Sequence, residues 1–232
     1  IGDIALAPSN PEIIWLGTGE SLKKARNFTM PGTGIFRSGD GGKTWENKGL
    51  HDSYHIGEIV VHPKNPDIVF VAVLGHFWTS NKNRGLYRTI DGGKTWNHIG
   101  LENAGQIGTV EIDPTNSNIV WVAAIGNAFK ANEERGIYKT TDGGVTWQKM
   151  LHISNTTGFA DLELLPGNPN IVYAAAWKAQ RTPWTIISGG EQNEGGIYKS
   201  VNGGKDWTKL EKGLPKGLIG KIDLAVSAVD SS

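Results

Sequence analysis

The sequence predicts an all-β protein assembled from repeated four-stranded antiparallel sheets, and three observations lead to this expectation. The 232-residue chain has 32 Gly and 9 Trp but only 2 Met, a composition that favours turns and aromatic packing. One eight-residue turn pattern recurs four times along the chain. No segment has the sustained 3.6-residue hydrophobic period of an amphipathic helix, so we expect almost no helix.

The recurring turn has a Ser or Thr, then an Asp or Asn two residues later, two glycines and a closing Trp. Its Asp or Asn positions are 51, 51 and 60 residues apart. Each copy follows a Gly-aliphatic-aromatic-basic run such as Gly85-Leu86-Tyr87-Arg88, which is typical of a short strand that leads into a turn. The Asp or Asn and the Trp of the four copies are Asp40 and Trp45, Asp91 and Trp96, Asp142 and Trp147, and Asn202 and Trp207.

Two further strands are predicted upstream of each turn. An Ile-Gly strand is followed by a Pro-x-Asn turn and then by a β-branched and aromatic run. Four short antiparallel strands in a period of about 50 residues are typical of a β-propeller blade. The second strands are predicted at 12–17, 67–74, 118–125 and 170–177, in units of about 1–55, 56–106, 107–157 and 158–218.

The chain also begins a fifth unit at residue 219. The segment Ile219-Gly220-Lys221-Ile222-Asp223-Leu224 repeats the opening Ile1-Gly2-Asp3-Ile4-Ala5-Leu6. Four units and one further strand are too few to close the ring of a propeller of this type. We therefore expect this single propeller segment, residues 1–232, to belong to a larger propeller that the remaining blades of a parent chain complete.

The chemistry of the repeated turn is explained without a ligand. An Asp or Asn oxygen accepts backbone N–H groups nearby, the Ser or Thr hydroxyl adds a bond, and the glycines adopt positive φ. The Trp is expected to pack back over the turn. We therefore interpret the eight turn residues named above as structural, and Asp206, where the other copies have Thr, as a solvated change at an exposed edge.

These turns resemble the Asp-box (BNR) repeat of sialidases, xyloglucanase-type glycosidases and sortilin-type propellers, over nearly the whole chain. The segments Gly17-Thr18-Gly19-Glu20, Leu74-Gly75-His76-Phe77-Trp78 and Arg181-Thr182-Pro183-Trp184 look most like large bacterial sortilin-like proteins that are often labelled glycosyl hydrolases. The resemblance implies a secreted, periplasmic or cell-surface location. Asp boxes identify a fold and are poor indicators of activity.

Charge and composition exclude several partners and cofactors. Lys+Arg and Asp+Glu are both 23, so no basic surface of the kind that nucleic acid requires is expected. No apolar run is long enough for membrane insertion. The absence of Cys excludes thiolate sites, and the six His follow no ligand spacing. The Asp-Gly-Gly turns lack the ligand pattern of a calcium loop, and we predict neither a metal nor a cofactor.

The predicted blade places all Asp boxes on one face, together with the turns between the first and second strands. The longer loops between the second and third strands lie on the opposite face, which we call the loop face. These loops are predicted at 18–33, 75–84, 126–135 and 178–195. Irregular loops on a rigid scaffold are suited to ligand binding.

The distribution of Trp outside the boxes points to a candidate site on the loop face. Trp15 and Trp121 occupy second-strand positions that Phe70 and Tyr173 fill in other blades, which is typical of core residues. Three Trp fall in the loops, with Phe77, Lys23 and Arg26 in the same pattern. An aromatic surface beside polar groups suits a sugar ring or an extended peptide, whereas loop aromatics equally often pack on their own blade. The predicted site comprises His76, Trp78, Asn127, Trp177, Arg181 and Trp184.

Acidic residues recur on the first strands at alternate positions. If these strands are innermost, some of the carboxylates line a central channel. The favoured alternative is that they bond the neighbouring blade or trapped water. The residues are Asp3, Glu58, Glu111, Asp161, Glu163 and Asp223.

Three hypotheses of function follow. The first, which we favour, is a binding module for a glycan or a peptide or protein ligand on the loop face or in the channel. The second is a glycoside hydrolase of the xyloglucanase or sialidase type, which needs two carboxyl groups or a Tyr with basic residues. The third is a purely architectural propeller. No loop carboxylate stands in a recognisable catalytic motif, and an acid or base could lie in the missing blades; the loop carboxylates are Glu20, Asp52, Glu102, Glu133, Glu134 and Glu191.

Overall fold

The structure, a computed structural model, describes residues 1–20, 30–76, 79, 81–181, 186–188 and 194–228. These residues form four antiparallel sheets, which we number blades 1 to 4. The all-β class and the four-stranded blades predicted from the sequence are confirmed. Blade 1 holds β1 (Asp3–Ala7), β2 (Asn10–Gly17), β3 (Ile35–Ser38) and β4 (Glu46–Asn47). Blade 2 holds β5 (Ile56–Val61), β6 (Val69–Val73), β7 (Gly85–Thr89) and β8 (Asn97–His98), and blade 3 holds β9 (Gln106–Ile112), β10 (Val120–Gly126), β11 (Gly136–Thr140) and β12 (Gln148–Leu151). Blade 4 holds β13 (Thr157–Leu165), β14 (Asn168–Arg181), β15 (Ile186–Ser188), β16 (Gly196–Ser200) and β17 (Thr208–Leu210).

The blades stand side by side with their first strands innermost. Within each sheet the strands pair in chain order, except that β15 pairs with β14 beside the main path. The first strands β1, β5, β9 and β13 contact one another in that order. A short 3-10 helix, His51–Ser53, connects blade 1 to blade 2. This arrangement is the one expected of propeller blades.

Backbone contacts assign the turns and loops to their two faces. In every blade the N–H of the first box glycine donates to a carbonyl at or just before the start of the second strand, as Gly92 N does to Asp67 O at 3.1 Å. The loops between the second and third strands instead contact the connections between blades, where Gly32 N donates to Tyr54 O and Asn132 N to Asn155 O. The Asp boxes and the loop face therefore lie on opposite sides.

The second glycine of the box is required by packing as well as by its backbone conformation. Gly93 has a φ of 81°, and a Cβ there would lie 2.8 Å from Trp15 Cη2 in the preceding blade. A Cβ at Gly204 would lie 2.6 Å from Trp121 Cη2 of blade 3. Because real Cβ atoms do not approach so closely, a larger residue would push adjacent blades apart.

Basic side chains also join the blades. The residue before each box lies over the aromatic ring of its cross-strand neighbour, and the guanidinium carbon of Arg88 is 5.5 Å from the centre of the Phe70 ring. Arg88 Nη1 then donates to Gly143 O of the next blade at 3.2 Å, and Lys139 Nζ donates likewise to Gly203 O at 3.2 Å. Arg88 and Lys139 thus each cover the core ring of their own blade and bond the box of the next blade.

Two of the box Trp depart from the expected packing over their own turn. Trp96 Nε1 donates to Lys48 O at 2.7 Å, and Trp147 Nε1 donates to Ile99 O at 2.6 Å, so both rings are tied to the preceding blade. Trp45 and Trp207 donate to Gly42 O and Gly204 O of their own turns, as expected. The core assignment of Trp15 and Trp121 is confirmed, since both rings are fully buried.

Asp206 is exposed, as predicted, and is also hydrogen-bonded within its turn. In the box of blade 2, Asp91 Oδ2 accepts the hydroxyl of Thr95 at 2.6 Å. In blade 4, Asn202 Nδ2 donates to Asp206 Oδ2 at 2.8 Å. Donor and acceptor have exchanged places, so the side-chain bond across the turn is retained although both residues differ.

Two segments differ from the predicted strand boundaries. Residues 178–181, predicted as loop, continue β14 because β15 supplies a partner, with Arg181 opposite Ile186. Residues 219–228, predicted to begin a first strand, have no strand assignment. Leu224 N nevertheless donates to Asp161 Oδ2 at 2.6 Å, just as Ile59 N donates to Asp3 Oδ2 at 2.6 Å. The bond from Leu224 thus places this segment beside β13, in the position that β5 has beside β1.

Blade 1 presents an uncovered apolar face. Ile4 and Leu6 on β1 are 54% and 56% exposed. The corresponding residues of blade 2, Ile59 and Val61, are 4% and 6% exposed because blade 1 packs over them. Among the described residues, no sheet packs over Ile4 and Leu6 as blade 1 packs over Ile59 and Val61.

The Asn202–Asp206 pair of blade 4 suggests how to test whether the side-chain bond across the turn stabilises the box of blade 2. Asp91→Ala is expected to lower the melting temperature, because the hydrogen bonds from Thr95 that hold the pKa of Asp91 far below its usual value are lost. Asp91→Asn combined with Thr95→Asp, which copies Asn202 and Asp206, is expected to melt closer to the unmodified protein than Asp91→Ala does. Thermal unfolding followed by circular dichroism measures both. A double variant as unstable as Asp91→Ala would contradict this account of the turn.

Candidate functional site

The residues predicted for the loop face are only partly within the described structure. Trp78 and Trp184 lie outside the described residues, as do Phe77, Lys23, Arg26 and Glu191. His76 is exposed, and its ring centre is 3.7 Å from that of Tyr54 on the connection between blades 1 and 2. His76 is therefore on the loop face, beside the boundary of blades 1 and 2.

Trp177 is buried, with 8% of its surface exposed. Its ring packs in a cluster with Ile125, Ala160 and Ala179, and its Nε1 donates to Ser188 Oγ at 2.7 Å. This burial favours the alternative in which the aromatic side chain packs the loop on its own blade. The ring offers no open face to a ligand.

The structure brings Arg181 and Asn127 together across the boundary of blades 3 and 4. Arg181 N donates to Ala128 O at 2.6 Å, so the end of β14 lies against the loop that begins at Asn127. The Arg181 side chain is buried, and burial lowers its pKa. The extended β14 therefore seals the gap between these two blades.

Asn127 shapes its loop. Its Oδ1 accepts Phe129 N at 2.9 Å and Lys130 N at 3.3 Å, while Asn127 N donates to Asn132 Oδ1 at 2.8 Å. Such side-chain bonds to the following N–H groups fix a turn. These bonds hold the start of the loop in a turn without any ligand contact.

A cavity of about 300 Å³ opens between the loops of blades 2 and 3. Leu74, Thr79 and Arg84 line it from blade 2, and residues 127–130 line it from blade 3. Gln106, at the start of β9, lies between them. We call this cavity the cleft. The counterpart of β14 at this boundary is β10 of blade 3, which ends at Gly126, and among the described residues no strand extends across to blade 2.

Two buried arginines that the sequence analysis did not single out hold the walls of the cleft. Arg84 donates to Leu74 O, His76 O and Thr79 O at 2.8, 2.9 and 3.0 Å. Arg135 donates to Ile125 O at 2.8 Å and to Asn127 O at 2.6 Å. Each guanidinium thus organises a whole loop by bonding its carbonyls.

The signal for these arginines was present in the sequence. Both stand directly before the glycine that opens the third strand, at Arg84-Gly85 and Arg135-Gly136. In both blades a histidine at the fourth strand contacts the carbonyl oxygen of this arginine. His98 Nε2 is 2.8 Å from Arg84 O, and His152 Nδ1 is 2.8 Å from Arg135 O. Alignment of units two and three would have revealed the pair.

The charges around the cleft are uncompensated. Among the described residues, no ion pair includes Arg84, Arg135 or Lys130. Burial lowers the pKa of Arg84 and lowers that of Arg135 to about 10, so both remain cationic at neutral pH. The described residues that line the cleft include Arg84 and Lys130 but no carboxylate.

The carboxylates of the first strands divide into two groups. Asp3 and Asp161 accept backbone N–H groups of the following unit, and Thr109 Oγ1 donates to Asp161 Oδ1 at 3.0 Å, which confirms the neighbouring-blade alternative for these two. Burial, with the nearby Glu163 and Asp161, raises the pKa of Glu111 to about 8. Burial also raises the pKa of Glu163. Glu111 is therefore mostly protonated at pH 7.

Neither a cluster of metal ligands nor a membrane-spanning helix occurs among the described residues. That part of the chain brings together no three His, Asp or Glu side chains able to hold a metal ion. Its helical content offers nothing long and apolar enough to cross a membrane.

Residues 33–176 match the sequence model of the Sortilin-Vps10 family, described as "Sortilin, neurotensin receptor 3". These residues make up more than half of the chain. They include the complete Asp boxes of blades 1 to 3.

The relatives include xyloglucanases. Xyloglucanase Xgh74A of Acetivibrio thermocellus is 26% identical over 186 residues, which is 72% of this chain and 21% of that protein. A xyloglucanase of Hypocrea jecorina is 30% identical over 123 residues, which is 48% of this chain and 13% of that protein. The chain thus spans about a fifth of the first of these enzymes and less of the second.

Solved structures share the fold. An ancestral GH74 enzyme superposes with a TM-score of 0.64 at 17% identity. The superposition covers 91% of this chain and 24% of the enzyme's chain. The GH74 xyloglucanase of Xanthomonas campestris superposes with a TM-score of 0.62 at 16% identity. That superposition covers 95% of this chain and 32% of the enzyme's chain. At this identity the match establishes the propeller architecture alone.

The raised pKa of Glu111 predicts a pH dependence of stability. Because folding raises this pKa from 4.5 to about 8, the folded state binds the proton more tightly, and its advantage is lost as pH rises from about 4.5 to about 8. Glu111→Gln should therefore gain stability relative to the unmodified protein between pH 5 and pH 8.5, as measured by urea unfolding. Glu102→Gln, at an exposed residue between blades 2 and 3, is the control. An equal difference at both pH values would contradict the raised pKa.

Proposed function

The chain belongs to the Sortilin-Vps10 family, and from that premise we propose that it is a binding module that holds a glycan on its loop face. The observation that carries the proposal is the cleft between blades 2 and 3. Its volume of about 300 Å³ is at the lower end of the range of small-ligand sites. Its walls are fixed by Arg84, Arg135 and Asn127, so a ligand would meet a preformed site.

A glycan is preferred to a peptide because several relatives are named xyloglucanases and the cleft offers amide groups to hydroxyls. Gln106 and Asn127 supply the amides, and Phe129 supplies a ring at the same wall. The family description includes a neurotensin receptor, so a peptide is the competing ligand for the same face. An extracytoplasmic location is part of this proposal, because polysaccharides are encountered outside the cell.

A titration with defined ligands tests this function. Xyloglucan oligosaccharides and extended peptides are added separately while intrinsic Trp fluorescence is followed. Gln106→Ala is expected to weaken glycan binding about fivefold, the effect of one lost hydrogen bond. Gln148→Ala, at an exposed residue of β12, is the matched control and should bind normally. Saturable binding of peptides but not glycans would overturn the ligand class, and binding unaffected by Gln106→Ala would overturn the site.

Glycoside hydrolysis is the second candidate, and the xyloglucanase relatives favour it. The reaction needs a protonated carboxyl group and a second carboxylate. Glu111, with its pKa of about 8, is suited to the acid role, and Glu163 or Asp161 beside it could supply the carboxylate. The same incubations are assayed for reducing sugar. Release that is abolished by Glu111→Gln would establish this function in place of simple binding.

The uncovered face of blade 1 supports a further part of the proposal, namely that the segment belongs to a longer propeller. Ile4 and Leu6 correspond to residues that adjacent blades bury elsewhere in the chain. The occupant that fits is another Asp-box blade of the parent chain, because blade 1 itself covers Ile59 and Val61 in this way.

The absence of Cys makes this proposal testable by thiol labelling. Leu6→Cys should react rapidly in the 232-residue chain and about tenfold more slowly in a parent chain that carries further repeats, because a blade then covers it. Val145→Cys, at a position 82% exposed on the Asp-box face, should react at the same rate in both. Equal rates for Leu6→Cys in the two chains would exclude a covering blade.

A further inference from the structure

The cleft between blades 2 and 3 has an unbalanced positive charge. Arg84 lies in its wall and Lys130 at its rim, and no carboxylate is among the described lining residues. Arg84 bonds three neutral carbonyls, and Arg135 behind the second wall also bonds carbonyls. Burial is the sole cause of the lowered pKa of each guanidinium, so nearby carboxylates have no part in either shift.

This imbalance is unusual in a chain whose formal charges sum to zero. Partly buried cations are normally paired, because removing a charge from water is costly. Hydrogen bonds to carbonyls stabilise the two guanidinium groups without cancelling their charge. The field of Arg84 and Arg135 therefore extends into the cleft, where the surrounding protein screens it less than bulk water would.

Lys130 is placed to contact a ligand directly. Its side chain is exposed, while its backbone N–H is held by Asn127 Oδ1 at 3.3 Å and its carbonyl accepts Arg135 Nη2 at 3.4 Å. An ordered backbone fixes the base of a long cationic side chain, so less freedom is lost when its ammonium group binds an anion. Arg84 is already committed to the wall and contributes its charge.

We propose that the cleft is selective for a glycan that carries a carboxylate, such as one with a uronic acid residue, and that Lys130 binds this carboxylate. The inference rests on the proposed function, since it specifies the glycan held on the loop face. Gln106 and Asn127 face the same cleft and are suited to the sugar hydroxyls. The selectivity comes from Lys130, which forms no ion pair with any of the described residues.

The test uses the 232-residue protein and two oligosaccharides that differ only at one group: a xylo-oligosaccharide with one glucuronate substituent, and the neutral analogue in which that carboxylate is reduced to the primary alcohol of glucose. Calorimetric titration at low salt should give about tenfold tighter binding of the acidic oligosaccharide, the effect of one charge-assisted hydrogen bond. This preference should shrink as salt is raised, because salt screens exposed charges.

Lys130→Gln should abolish the preference while the weaker binding of the neutral oligosaccharide persists. Lys82→Gln is the matched control, since Lys82 is an exposed lysine of the blade 2 loop that does not line the cleft. Equal affinity for both oligosaccharides, or a preference that Lys130→Gln leaves intact, would overturn the inference alone. No binding of these two oligosaccharides or of xyloglucan oligosaccharides would overturn the proposed glycan function with it.

Discussion

Close packing between successive blades is the constraint on which the rest of this structure depends. A four-stranded sheet buries its apolar face only against its neighbour, and here the second box glycine makes that approach possible. Gly93 meets Trp15, and Gly204 meets Trp121, at distances that leave no room for a Cβ. Arg88 and Lys139 then tie each core ring to the following box. The Asp box is thus an inter-blade joint as well as a turn.

The rigid stack of blades allows the loop face to be built from ordered loops. Arg84 and Arg135 order these loops, since each guanidinium donates hydrogen bonds to several loop carbonyls. This solution leaves positive charge inside the loop face. Where β14 of blade 4 continues to Arg181, the gap to blade 3 is filled; its counterpart β10 of blade 3 ends at Gly126, and the cleft lies at that boundary with blade 2. One difference in strand length therefore separates a sealed boundary from a candidate site.

The carboxylates of the first strands also differ in role according to their neighbours. Asp3 and Asp161 accept backbone N–H groups that an inner strand cannot satisfy within its own sheet, so their charges serve assembly. Glu111 has Glu163 and Asp161 as neighbours instead, and its proton is retained to higher pH. Acids at similar strand positions thus differ in chemistry because their neighbours differ. Family membership and fold agree with either a binding or a hydrolytic role, and the charge of the cleft favours the former.

The sequence by itself determined the blade repeat, the strand order, the turns and the core positions of Trp15 and Trp121, because turn chemistry and alternation are encoded in contiguous residues. It also located the loops that form the loop face. Only the tertiary structure decided that Trp177 is buried beneath Ser188, that Arg84 holds a loop wall, and that a cleft lies between two loops about 50 residues apart. These features depend on how neighbouring blades are placed, and that placement follows from packing between sheets rather than from any local pattern.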